Sequence, residues 1–255
     1  MVSALVLIPV AIGAALAGGL VFSGLVALIA LGMAAEFGRL LEGRHGRAHP
    51  LRPALALLPA LVFGMAGLFG LAAGGLLAGA GLVLTLPGAR GPARIWMAAG
   101  VLCLGAPALA LQWMRAVPEA GQGYVLSLFA LVWAADSFAW LAGRVIGGPQ
   151  LLPAISPNKT WAGLLGGTLA GALAGLAALG LAGRPELPPA GLAGVAGALA
   201  FTALWGDIAE SALKRHFGVK DSGHLIPGHG GLLDRLDSLA AAGLLAVGLL
   251  LLHGG

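Results

Sequence analysis

Apolar runs long enough, or almost long enough, to cross a bilayer take up nearly the whole of this chain, and that leaves few folds open to it. The hydrocarbon core contains no water, so every backbone N–H and C=O there must be satisfied within the protein, which a helix does unaided. A crossing needs about 20 apolar residues. With Arg, Pro and Gly clusters as punctuation, the sequence divides into nine such runs, at 3–17, 20–41, 51–71, 73–87, 94–114, 122–146, 161–182, 190–213 and 236–253. The first and fourth are short, and Gly18-Gly19 and Gly74-Gly75 are weak breaks, so each of these two runs also suits a tilted or interfacial helix.

Composition removes the alternatives. Of the 255 residues 59% are hydrophobic and 9% charged, against about 25% charged in a soluble domain. The 44 glycines follow no fibrous period. A single cysteine, Cys103, allows neither a disulfide framework nor a Cys-based zinc site. The expected fold is an all-α polytopic membrane protein of about nine transmembrane helices, with lipid-facing scaffold helices over 1–121 and the polar motifs over 122–255. No cleavable signal peptide is expected, because the first apolar run lacks a charged leader.

Charge sets an orientation. With nine spans, the connections after spans 2, 4, 6 and 8 share one side, and these hold Arg39, Arg44, Arg47, Arg52, Arg90, Arg94, Arg144, Lys159, Lys214, Arg215, Lys220 and Arg235. The opposite side holds only Arg115 and Arg184. By the positive-inside rule the N-terminus is cytoplasmic and the C-terminus outside. Gly163, Gly167, Gly171 and Gly175 form consecutive small-residue steps on one helix face, which predicts close approach of a neighbouring backbone.

Ionisable groups inside spans are costly and point to function. Glu36, Glu42, Glu119 and Glu186 fall at span ends or in loops and call for no special role. Asp136 lies midway along its span, and either pairs with a neighbouring helix for packing or takes part in chemistry. The connection that follows carries Arg144 and the run Ser156-Pro157-Asn158-Lys159-Thr160-Trp161. Thr160 or Ser156 can cap the next helix there, and Lys159 either marks topology or joins the free amides in holding a phosphate.

Asp207, Glu210, Ser211 and Lys214 recur at i, i+3, i+4 and i+7, so one helix face presents two carboxylates, a hydroxyl and an ammonium. Pairing of Glu210 with Lys214 accounts for those two and leaves Asp207 unexplained. The longest polar stretch, 220–238, holds Lys220, Ser222, His224, His229, Gly230, Asp234, Arg235 and Asp237 in a glycine-rich loop running into the last span. Carboxylates at helix ends with no cysteine set fit Mg2+ better than Zn2+. Basic residues, Mg2+ carboxylates and a glycine-rich loop at the ends of membrane helices together describe phosphoryl or nucleotidyl transfer to a lipid.

The segment from Ser211 to Asp237 resembles the signature of phosphatidate cytidylyltransferases, the CDP-diacylglycerol synthases. Asp136-Ser137 with Gly143-Arg144, the Ser156–Trp161 block and Gly206-Asp207-Ile-Ala-Glu210-Ser211 resemble further family blocks in order and spacing, as does the N-terminal run Ala4–Pro9. Ala162 stands where the family commonly has Glu, and Phe138 where it usually has a small residue. The resemblance implies a reaction of CTP with phosphatidic acid giving CDP-diacylglycerol and pyrophosphate. It implies Mg2+ at Asp207 and Asp234, and K+ as a second cation. Asp136, Lys214, Lys220 and Asp237 join those two aspartates as catalytic candidates. Arg144, Ser156, Lys159, Arg215, Ser222, His224, His229, Gly230 and Arg235 are the candidates for substrate binding.

The expected partners are CTP, phosphatidic acid, the bilayer and a second copy of the chain as a homodimer, with no nucleic acid. The expected location is the plasma (inner) membrane, with the active site on the cytoplasmic side. A small-anion transporter is the rival reading, since an intramembrane aspartate and broken helix ends also suit ion coupling. It predicts an inverted repeat, whereas the polar motifs crowd into the second half of the chain. A CDP-alcohol phosphatidyltransferase would need the pattern D-G-x-x-A-R, which is absent.

Overall fold

The computed structural model describes residues 2–45, 49–85, 91–181, 188–223 and 230–252. Among these, 84% are helical. The elements are α1 (Val2–Ala17), α2 (Gly19–His45), α3 (Arg52–Met65), α4 (Phe69–Thr85), α5 (Pro92–Ala116), α6 (Gly121–Val145), β1 (Gln150–Leu152), β2 (Ser156–Thr160), α7 (Trp161–Leu181), α8 (Pro189–Phe217) and α9 (Leu233–Leu252). Helices α2 and α5 to α9, six in all, are long and apolar enough to cross a membrane. The chain is therefore a multi-pass membrane protein of the all-α class.

The other three helices are shorter. The 14 residues of α3 rise only about 21 Å at 1.5 Å per residue, less than a core of about 30 Å. The sequence places the break between the third and fourth runs at Gly74-Gly75, but the chain breaks earlier. Gly67 takes a left-handed φ of 75°, and its N–H and that of Leu68 return to the carbonyls of Gly64 and Phe63. This is a Schellman stop, which needs a residue that tolerates positive φ. The break at Gly18 is as expected. Arg115 reinforces it from α5, its Nε donating to the Ala15 carbonyl at 2.7 Å, one of the orphaned acceptors at the end of α1.

Two compact units result, Met1–Ala116 with Phe217–Arg235, and Val117–His216 with Leu236–Gly255. In the first, α2, α3, α4 and α5 pack on one another around fully buried Phe22, Leu57, Leu61, Met97 and Val101. In the second, α7 lies along α6. The expected glycine face makes this contact: a Cβ on Gly163, Gly167 or Gly171 would come within 3 Å of the carbonyl oxygens of Ala139, Ala135 and Leu131 respectively. Ala135, Leu164 and Leu204 form the buried cluster beside it.

A short antiparallel hairpin, β1 with β2, forms in the connection between α6 and α7. Its two strands are both edges, so Pro157 interrupts no inner ladder. Thr160 ends β2 and caps α7, its Oγ1 accepting the Gly163 N–H at 3.1 Å, as expected of a threonine at that position.

Candidate functional site

Polar side chains gather at one place in each unit. In the second unit the hairpin, α6, α8 and α9 each contribute. Lys159 of β2 reaches Asp207 of α8, with Nζ 2.7 Å from Oδ2. Lys159 Nζ is buried and makes no other hydrogen bond among the described residues, so an ammonium with three donors has two to offer. Gly206 lets α8 come close to α9 beside this pair, since a Cβ there would lie 2.7 Å from the Asp237 carbonyl oxygen. Asp237 and Asp207 consequently repel one another, and Asp136 repels both.

Ser238 links the two helices that carry the other carboxylates. Its hydroxyl donates to Asp136 Oδ1 at 3.2 Å and its N–H to Asp237 Oδ1 at 2.8 Å. Glu210 of α8 is buried and also repels Asp237, while Lys214 lies 2.6 Å from Glu210 Oε2. The pairing offered for these two residues from the sequence thus occurs, and Asp207 has its own partner in Lys159. Four carboxylates, Asp136, Asp207, Glu210 and Asp237, and two ammonium groups, Lys159 and Lys214, meet here. No three Asp, Glu, His or Cys side chains among the described residues close a metal cage. Mg2+ is commonly held by only one or two carboxylates together with substrate phosphates, so this donor set fits it.

The first unit holds the second gathering. Asp234, in the first turn of α9, accepts three hydrogen bonds on Oδ2: from Ser222 N–H at 3.0 Å, Ser222 Oγ at 3.0 Å and Gly231 N–H at 2.8 Å. Glu36 of α2 is fully buried. It accepts the N–H groups of Leu232 and Leu233, each at 3.0 Å, and lies 3.4 Å from Ser222 Oγ. A hydroxyl has one proton, so the nearer Asp234 is the better acceptor of the two. Gly230 sits against Asp234 with a left-handed φ of 80°.

Glu36 went unrecognised in the sequence because it looks like a span-end carboxylate beside Arg39. Its true partners lie almost two hundred residues away. The remaining candidates are dispersed. Arg144 stacks on the Trp140 ring at 5.3 Å, and Arg215 donates to the Ile155 carbonyl at 3.3 Å. Ser156 pairs with Leu152 in the hairpin. Lys220 and Arg235 are exposed. His224 and His229 lie outside the described residues.

Buried and half-buried carboxylates, with two half-buried lysines, set among apolar helices define a multi-pass membrane protein with clustered charge. A sequence model of the cytidylyltransferase family matches residues 1–253, and the chain belongs to that family. Among its relatives are proteins named phosphatidate cytidylyltransferase. One from Brucella abortus is 44% identical over 169 residues, covering 66% of this chain and 61% of its own length. One from Haemophilus influenzae is 41% identical over 128 residues, covering 49% of this chain and 44% of its own length. One from Staphylococcus aureus is 45% identical over 118 residues, covering 46% and 45% respectively. The matched region thus spans about six tenths of the Brucella protein's length and less of the other two.

Proposed function

We propose that this protein is a phosphatidate cytidylyltransferase, joining CTP to phosphatidic acid with release of pyrophosphate. The observation that carries the reading is the meeting of Lys159, Asp207 and Asp237, which brings three separate family blocks into one charged cluster. The phosphatidate oxygen attacks the α-phosphorus of CTP in line, and pyrophosphate leaves. Lys159 has donors to offer a phosphate. Lys214, Arg215, Lys220 and Arg235 are the further candidate clamps.

Mg2+ is the proposed divalent ion and supplies charge neutralisation at the phosphates when bound. Asp207 and Asp234 are each proposed as ligands, and K+ as a second cation. The transporter reading is not favoured by the family match.

Nine crossings, a cytoplasmic N-terminus, an external C-terminus and a cytoplasm-facing site in the plasma membrane complete the proposal. The charge asymmetry supports this orientation even if α3 and α4 fail to cross singly. Removing that pair together leaves every basic connection on its original side. A scaffold over 1–121, a catalytic half over 122–255 and a homodimer are proposed with it. The test is incubation of the purified protein with labelled CTP, phosphatidic acid and Mg2+. A labelled lipid supports the reading, and its absence with well-folded protein removes it.

A further inference from the structure

Glu36 is the deepest carboxylate in the first unit, and its chemistry is one-sided. A buried carboxylate is costly unless donors surround it. Here the donors are the N–H groups of Leu232 and Leu233, two of the amides that the start of α9 leaves without helical acceptors. The positive end of the α9 dipole favours the charge there. Glu36 therefore caps α9 from another helix, one residue before Asp234.

The rest of α2 around Glu36 grips the same stretch. One turn earlier, Gly32 lies beneath Leu232, where a Cβ would come 2.9 Å from Cδ2. Phe37, the next residue round the helix, meets Phe217 edge-on at 6.0 Å, and Arg44 lies 5.9 Å from that same ring. Successive helix residues point about 100° apart. One face of α2 thus holds the incoming end of the 217–235 stretch and an adjacent face holds its outgoing end.

We propose that Glu36 is a positioning residue for the reaction, fixing the start of α9 so that Asp234 and Ser222 keep their mutual geometry. The inference rests on the proposed cytidylyltransferase reading for its effect on catalysis, but not for its effect on structure. Glu36→Gln retains the length and removes the charge, offering one acceptor where the carboxylate has two. Glu36→Asp retains the charge and is one methylene too short to reach both amides.

Hydrogen–deuterium exchange and turnover on the purified full chain test the proposal together. In Glu36→Gln, peptides over 230–235 should exchange about tenfold faster, while those over the α3 and α4 core stay at the parental rate. Turnover of labelled CTP should fall by about a hundredfold with KM for phosphatidate within about twofold of the parent. Glu36→Asp should fall between the two. Unchanged exchange at 230–235, or a rise spread through α3 and α4, overturns the proposal. So does failure of both variants to accumulate, which would make Glu36 a folding residue. If the parent itself makes no CDP-lipid, the functional reading fails, and the exchange data alone still judge the role of Glu36.

Discussion

Lys159 Nζ lies 2.7 Å from Asp207 Oδ2, so a residue from a short β-strand is locked to a carboxylate in a membrane helix. The lysine comes from a hairpin stiffened by Pro157 and ended by the Thr160 cap. It therefore reaches the cluster from a backbone with little freedom, and the pair acts as one unit.

Lys159→Gln and Asp207→Asn should each lower turnover by about a hundredfold while membrane levels change little. The double variant should be scarcely worse than the poorer single, because contacting residues are not additive. Product formed per inserted molecule, measured for all four proteins, checks this. Independent, multiplying losses would show that the pair does not act as a unit.

Asp234→Asn keeps an acceptor for the bonds from Ser222 and Gly231 but loses the charge proposed to hold Mg2+. It should fold with a near-parental Tm and lose at least about a hundredfold in rate, with little recovery at high Mg2+. Asp234→Ala leaves those donors without their acceptor and should lower the Tm as well. Near-parental synthesis by well-folded Asp234→Asn would remove the residue from the metal site.

On α7, Gly167→Val drives a side chain into the Ala135 carbonyl of α6 and should destabilise by about 1–3 kcal/mol or more. Gly180 has open space around it, and Gly180→Ala should be neutral or slightly stabilising. Thermal unfolding in detergent compares the two. Equal Tm values would mean that α6 and α7 do not pack as described.

In a Cys103→Ser background, a cysteine replacing Gly43 should react with an impermeant thiol reagent only after the membrane is opened. Cysteines replacing Pro118 or Ala190 should react in intact cells. All three positions are exposed. The reverse pattern would invert the proposed orientation.

Helices were the most legible part of this molecule, because a 20-residue apolar run admits one solution in lipid. The six long helices, the Gly18 break, the Thr160 cap and the glycine face of α7 all follow from short-range rules. The hairpin did not, since strands of 3 and 5 residues that contain or adjoin prolines show no readable alternation. Of the site, Asp136 and Asp207 could be picked out by the cost of charge in an apolar span, Lys159 by its place at a helix start, and Asp237 by the polar stretch that runs into the last span. That Lys159 chooses Asp207, and that Glu36 caps α9, depends on contacts between distant segments. No local pattern encodes these.

Helix α8 has 29 residues, a length of about 44 Å against a hydrocarbon core of about 30 Å. The surplus belongs at its charged end, where Lys214, Arg215 and His216 form the last turn, because burying that turn in hydrocarbon is costly. In the proposed orientation Asp207 and Glu210 stand near headgroup depth, where a phospholipid carries its phosphate without leaving the leaflet. The two substrates of the proposed reaction would arrive by different geometries, the nucleotide from three-dimensional solution and the lipid by lateral diffusion in a sheet. The rate should accordingly follow the mole fraction of phosphatidate in the surface rather than its bulk concentration. Diluting mixed micelles with neutral detergent at fixed total phosphatidate should slow synthesis, and diluting them with buffer should leave the lipid dependence unchanged.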